Sequence, residues 1–346
     1  MIETDAVIIG AGPAGLFQAF QLGLLEIGAH LIDALPAVGG QCIELYPDKP
    51  IYDIPGIGRC SGRELADRLL AQIRPFHTPM HLGQLVSELA VQADGRFALA
   101  TSAGQHFLAR SVFIAAGVGA FQYRTLKVPG IDVFEGTQLL HRAPERSSLA
   151  GRHVLVFGDD DNALGEAVSL AKDSGPSRPA SVTLIHRRDV FGAAPEMVAE
   201  LRAACDAGLM KFVPAQPVGI ELEVGQFRAM QLIGADGNTF SQRADVVLAL
   251  LGLSPKLGPI ADWGLAMAKR QLSVDTEQFQ TSVPGIHAVG DINTYPGKRK
   301  LIVCSFHEAT LAAYGAAQRL RPDRPVLLQY TTTSPRLHRL LGVGPT

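Results

Sequence analysis

Residues 6–15 read AVIIGAGPAG, an apolar strand from Ala6 to Gly10 that runs through Gly12, Pro13 and Gly15 into a helix. The helix, Pro13 to Gly28, repeats Leu16, Phe17, Phe20, Leu24 and Leu25 at helical spacing. Glycines at 10, 12 and 15 let the backbone approach an anion on the amino end of that helix, where unpaired N–H groups and the helix dipole favour negative charge. His30 to Ala34 reads as a second, parallel strand, and it carries Asp33 about 20 residues beyond the glycines. From there a βαβ unit offers a carboxylate to the hydroxyl pair of a ribose. Strand, glycines, helix and acid together predict a dinucleotide-binding unit.

An altered copy of the same opening stands at residues 154–163, VLVFGDDDNA. Strand Val154 to Phe157 meets Gly158, but Asp159 and Asp160 occupy the places of further glycines; a helix follows from Ala163 to Lys172 and a second strand from Val182 to His186. That strand closes on His186, Arg187 and Arg188, where an NAD-selective fold would place an acid. Two guanidiniums can chelate a 2′-phosphate by bidentate, charge-assisted bonds, so the cofactor called for is NADPH rather than NADH. The aspartates pull the other way. A carboxylate about 4 Å from a pyrophosphate charge costs roughly 1 kcal/mol in water-like surroundings and about 4 kcal/mol in a partly screened site. The expectation is that Asp159 and Asp160 turn away, leaving Gly158, Asn162, Arg187 and Arg188 as nucleotide contacts.

Between and after these units the chain offers a turn-rich stretch from Pro36 to Gly62, a helix near Arg63 to Ile73, and short alternating segments at Ala98 to Thr101 and His106 to Leu108. Ser111 to Gly117 reads as a separate strand ending in glycine. After a second set of short strands, Ala244 to Gly252 repeats that ending, and Ile286 to Asp291 opens a strand–loop–helix passage to about Leu320. The order βαβ, meander, strand-to-glycine occurs twice, which fits one nucleotide domain inserted in another. The expected architecture is α/β, two Rossmann-like, three-layer ββα domains: 1–120 with 252–346 outside, 121–251 inserted. Asp291, at a strand end before an apolar helix, can accept hydrogen bonds from a polyol or simply cap the helix. Beside the first fingerprint, the ribityl chain of a flavin is the favoured reading. Tyr46, Tyr52 and Tyr330 are the aromatics expected near an isoalloxazine, with plain packing as the alternative for each.

Composition limits these readings. The 346 residues suit two domains with their own cores, and 47% hydrophobic against 18% charged residues is ordinary globular content. A net charge of −2 and a pI near 6.6 supply no global field toward nucleic acid or anionic lipid. Cys42, Cys60, Cys205 and Cys304 show no CxxC and no zinc-ligand spacing, as expected in a reducing compartment, and no metal site is expected. MIETD enters a strand without a basic leader, and Val246 to Leu253 is too short to span a bilayer, so a soluble cytoplasmic protein without membrane contact is expected.

At Gly39 to Gly56, GGQCIELYPDKPIYDIPG, the chain resembles the thioredoxin-reductase-like class of ferredoxin/flavodoxin–NADP⁺ reductases. GAGPAG, HRRDVF and VGDINTYPGK with the TTTSP tail extend the likeness over nearly the full length. It implies a homodimer with FAD in each subunit, held at Ala14, Asp33, Gln41 (beside Gly40), Tyr46, Val86, Phe121, Asp291 and Thr332. It further implies that Tyr52 covers one flavin face and a tail residue, Tyr330, the other. GDDDNA departs from the family's usual GGGDSA, and Gly192 stands where a third arginine is usual. Thioredoxin reductases need a CxxC in the nucleotide domain and the glutathione type a second cysteine five positions after the first; here Pro47 occupies that place, which excludes dithiol chemistry.

The resulting expectation is hydride transfer from NADPH to flavin N5 and single-electron transfer to ferredoxin or flavodoxin, with no side-chain acid or base. Lys298, Arg299 and Lys300, with Arg336, His338 and Arg339, are candidates for docking an acidic partner. Two alternatives stay open: an NADPH-dependent flavin oxidoreductase with a quinone or rubredoxin acceptor, and a redox-silent FAD-binding sensor.

Overall fold

The computed structural model describes residues 1–119, 123–252, 256–328 and 330–343. The chain divides into two compact units, Met1–Phe121 with Pro255–Thr346, and Gln122–Ser254. In the first, seven strands form one sheet in the order Met80–His81, Ala29–Ile32, Ile2–Ile9, His106–Ile114, Phe97–Thr101, Val86–Val91, with Ile286–Ala288 on the far half of His106–Ile114. The first four and Ile286–Ala288 run parallel; the Val86, Phe97 and His106 strands form an antiparallel meander.

His106–Ile114 is one strand where the sequence reading has two, and its burial explains the error. Its first half pairs with the meander and alternates between exposed and buried, whereas Ser111 to Ile114 lie between parallel neighbours and are buried throughout. One strand therefore carries two sequence patterns. On one face of the sheet lie helices Pro13–Leu24, Gly62–Ile73 and Ile302–Leu320, closed around Leu16, Leu65, Ala312 and Ala316. The second is started by a capping box, Glu64 N donating to Ser61 Oγ (3.1 Å) and Ser61 N to Glu64 Oε2 (2.8 Å). On the other face a small sheet of Met267–Ala268, Gln271–Ser273 and Asn293–Thr294 supplies Leu272 to a core with Val7, Phe97 and Val112. These are the three ββα layers.

The second unit repeats the plan: Leu139–Leu140, Val246–Ala249, His153–Phe157, Ser181–His186, Lys211–Glu223, Gln226–Gly234, Thr239–Arg243. The first five run parallel and the last three form the meander, whose strands reach 13 and 9 residues rather than the short segments expected. Helices Asp161–Lys172 and Pro195–Asp206 cover one face. Among the described residues no helix is long and apolar enough to cross a membrane, and no group of three or more His, Cys, Asp or Glu could hold a metal.

Candidate functional site

At the carboxyl ends of the first unit's parallel strands, a cleft opens over the amino end of helix Pro13–Leu24, its empty volume about 1280 Å³ counted to the open mouth. Gly10, at φ +112°, lies so close to the neighbouring strand that a Cβ would sit 2.4 Å from Ala115 O. A Cβ on Gly15 would be 1.8 Å from Gly10 O, so this glycine lets helix and strand touch without itself lining the cleft. Gly12 and Gly40 face each other across the cleft floor, a Cβ on Gly40 reaching to 3.0 Å of Gly12 Cα. No side chain caps this helix, which begins with Pro13. Its free amides therefore point at open space between bare backbones. That is a cradle for a phosphate-sized anion.

Asp33 ends the second strand at the same edge. Ala11 N donates to its Oδ2 at 2.5 Å and Leu35 N to its Oδ1 at 2.7 Å. Burial pushes its carboxyl above the ordinary range, against the pull of both amides. Across the cleft Asp291 Oδ2 accepts from Gln41 Nε2 at 3.2 Å, and its backbone oxygen accepts from Gln271 Nε2 at 2.9 Å. The next residue back, Gly290, is held by a buried ion pair: its N donates to Glu308 Oε2 (2.7 Å) and its O accepts from Lys298 Nζ (2.9 Å). Lys298 Nζ also donates to Glu308 Oε1 at 2.5 Å, and Tyr295 Oη and Asn293 Nδ2 donate to the same carboxylate at 2.9 Å each. Lys298 is thus an internal strut with its side chain 8% exposed, not part of a docking patch as its sequence neighbours suggested. The run KRK reads as a wet basic loop because the glutamate that buries its first member lies ten positions on.

Ala14, Pro13, Gln41, Tyr46 and Val86 also line the cleft. Tyr46 Oη accepts from Cys42 Sγ at 3.8 Å, and burial drives both hydroxyl and thiol up from their ordinary pKa values. All four cysteines are free, and a buried, protonated Cys42 is no nucleophile. Tyr46 continues into an adjoining groove with Lys49, Tyr52, Lys300 and Leu301, where Tyr52 stands 66% exposed. Tyr330 and Thr332 do not line the cleft of their own chain. Their segment is followed by helix Pro335–Leu340, whose Leu337 is buried and whose Arg336 pairs with Glu26, just past the far end of helix Pro13–Leu24. Arg336 is therefore engaged as well. Phe121 lies outside the described residues.

Sequence reasoning missed the apolar wall of Leu257, Ile260 and Trp263, and the amino end of helix Ile302–Leu320, which brings Leu301, Ile302 and Ser305 to the cleft and has no side-chain cap. The latter was legible in part, since Leu301 offers no capping oxygen before a long apolar-periodic helix.

The second unit's turn is built alike but filled differently. Gly158, φ +154°, is required because a Cβ would meet Leu250 O and Ala163 Cβ at 2.4 Å each. Asp160 does not turn outward as expected. It is the N-cap of helix Asp161–Lys172, its Oδ1 accepting from Ala163 N at 3.0 Å, because an aspartate in that position satisfies an orphan amide at once. Asp161 Oδ1 accepts from Ala194 N (2.7 Å), and Asp159 Oδ2 lies 3.9 Å from His186 Nε2. Asn162 is exposed on the first helical turn, and Arg187 and Arg188 are exposed and in no ion pair among the described residues.

Residues 4–312 match the family model described as pyridine nucleotide-disulphide oxidoreductase. The chain is 56% identical over 342 residues to a protein of Albidiferax ferrireducens named ferredoxin–NADP reductase, covering 99% of this chain and 96% of that one. Among solved structures it is similar to the bacillithiol disulfide reductase of Staphylococcus aureus (TM-score 0.63, 16% identity, 94% of this chain and 100% of that one). A thioredoxin reductase of T. acidophilum is similar too (TM-score 0.61, 20% identity, 92% and 99%).

Proposed function

This chain belongs to the pyridine nucleotide-disulphide oxidoreductase family, and on that premise we propose that it is a ferredoxin/flavodoxin–NADP⁺ reductase with FAD resident in its first unit and NADPH binding to its second. The observation that carries the FAD assignment is the bare, uncapped cradle at Gly12 and Gly40, set between Asp33 and Asp291. An extended dinucleotide would lay its pyrophosphate on the cradle, its adenosine ribose toward Asp33 and its ribityl hydroxyls toward Asp291 and Gln41, with Tyr46 walling the ring end. When bound, FAD takes a hydride and releases electrons singly, which is the chemistry this reaction needs.

The chain's own residues bind, orient and exclude water; none holds a proton for hydride transfer. Arg187 and Arg188, without a carboxylate partner among the described residues, are available to a 2′-phosphate. In the first unit Lys49, Arg299 and Lys300 are exposed near Tyr52 and Leu301, and they are our candidate contacts for an acidic redox protein. Of the tail cations only Arg339 stays both exposed and without an ion pair among the described residues. We place the protein in the cytoplasm as a homodimer. Because the tail packs on its own helix Pro13–Leu24, Tyr330, 66% exposed, is assigned to the flavin of a second copy, with Tyr52 on the opposite ring face.

Anaerobic mixing with NADPH tests the reading. Bleaching of the bound flavin within seconds, followed by ferredoxin reduction faster than quinone reduction, supports it. No bleaching leaves the FAD-binding sensor, and preference for small quinones leaves the general flavin oxidoreductase. Reversing the charge of Lys49 and Arg299 is expected to lower the ferredoxin-dependent rate and its salt sensitivity while sparing dye reduction; equal losses in both would sink the docking assignment.

A further inference from the structure

We infer that the buried Lys298–Glu308 pair is a positioning device for Asp291, and through it determines how tightly the flavin half of the cofactor is held. The inference rests on the FAD assignment above. Glu308 is fully buried one helical turn behind Ser305, which lines the cleft, so it stands behind the wall and touches no ligand. Its carboxylate and the Lys298 ammonium grip opposite sides of one residue, Gly290, at N (2.7 Å) and O (2.9 Å). Gly290 also lies close against the phosphate-binding helix, in a backbone conformation that favours glycine. Its φ is +80°, and a Cβ there would already lie 3.1 Å from Ala14 Cβ at the start of the phosphate-binding helix.

Asp291 follows directly, so its peptide is fixed by the pair while its carboxylate reaches Gln41 Nε2. Tyr295 and Asn293, donating to Glu308, close the same loop from its other end. One carboxylate thereby joins the helix Ile302–Leu320, the 290–298 loop and the floor of the cleft. An ion pair so deeply buried is a weak source of stability, since desolvation cancels most of its attraction. Its value lies in specifying one loop geometry.

The experiment is a double-mutant cycle on FAD affinity, read by titrating flavin-free protein with FAD and following flavin fluorescence. Glu308→Gln is expected to raise the FAD dissociation constant about tenfold in the wild-type background, and by less than about twofold when Asp291→Ala is already present, because its effect passes through that carboxylate. Lys298→Met, breaking the grip from the other side, is expected to show the same coupling and decides the matter if Glu308→Gln is not recovered folded. Losses that multiply independently of Asp291, or no loss in either variant, would overturn the inference. Failure of the wild-type protein to take up FAD would instead overturn the assignment it rests on.

Discussion

Asp160 is the residue whose removal says most about the second site. Its carboxylate sits on the amino end of helix Asp161–Lys172, bonded to Ala163 N at 3.0 Å, in the place a pyrophosphate would take. Binding NADPH there means sharing or losing that amide, about 1 kcal/mol, and bringing phosphate beside a carboxylate. At about 4 Å the charge term runs from roughly 1 kcal/mol in water-like surroundings to about 4 kcal/mol in a partly screened site. Asp160 is exposed, so the lower end applies. The sum is about 2 kcal/mol, a tightening of at least about tenfold on removal, since each 1.4 kcal/mol is roughly a factor of ten. Asp160→Gly is the right probe because glycine replaces an N-cap aspartate at a cost of only a few tenths of a kcal/mol. Asp160→Asn keeps a cap and removes the charge alone, and should recover about half of the gain in free energy. Titration calorimetry with NADPH at low and moderate salt reads both. If neither variant changes the dissociation constant, the carboxylate never meets the phosphates and the nucleotide does not lie on this helix end.

Three further outcomes follow from the same geometry. Losing charge-assisted bonds worth about 1.5–3 kcal/mol, Arg187→Ala and Arg188→Ala should each weaken NADPH binding by about one to two orders of magnitude, leaving NADH unchanged in calorimetry; equal effects on both nucleotides would remove the 2′-phosphate assignment. Gly15→Ala would place a methyl 1.8 Å from Gly10 O, and the purified protein is expected to be colourless even when supplied with FAD, as its absorption spectrum would show. His287, fully buried against Phe113 and bonded through Nδ1 to Gln278 O, has its pKa pushed down to about 4 by burial. A depressed histidine supports the fold above its unfolded pKa and loses that support as pH falls toward the folded value, so urea unfolding should show about 2 kcal/mol less stability at pH 5 than at pH 7.5 from this group. The drop should shrink in His287→Gln.

The first βαβ unit was legible because each of its requirements is local: three glycines, an apolar helix face and an acid one strand later all lie within Ala6 to Asp33. Asp291 was picked out as a strand-end acid just before a helix, but it lies in a short turn after the strand Ile286–Ala288, and the helix begins only at Ile302. The apolar wall from Leu257 to Trp263 was not legible, because nothing in GPIADW distinguishes residues lining a cleft from residues filling a core. Lys298 was misread since a buried lysine is visible only through its partner, and Glu308 lies on a different element. The strand His106–Ile114 was split in two because its neighbours change along its length, and so does the pattern of exposure they impose.

The two halves use one opening for opposite purposes, and the difference lies in what satisfies the first amides of each helix. In the first unit Gly12 offers no side chain and Pro13 follows, so the free N–H groups await an outside acceptor in a cleft half lined by apolar carbon. Amides left that way in an open cleft are free to bind a ligand's oxygens without displacing a side chain of the protein, which favours an anion that enters and stays. In the second unit Asp160 satisfies Ala163 N from within, and Asp161 and Asp159 tie the turn to Ala194 N and toward His186, so the site is complete when empty. A nucleotide there must compete with the chain's own carboxylate and, on the assignment proposed above, relies on Arg187 and Arg188 at its other end, which favours rapid exchange. A reductase that keeps its flavin and turns over its nicotinamide needs that asymmetry. It follows that Asp160→Gly, while tightening NADPH, should also slow NADP⁺ release, so that kcat falls as KM falls in the ferredoxin-dependent assay; an unchanged kcat would show that release from this site does not limit turnover.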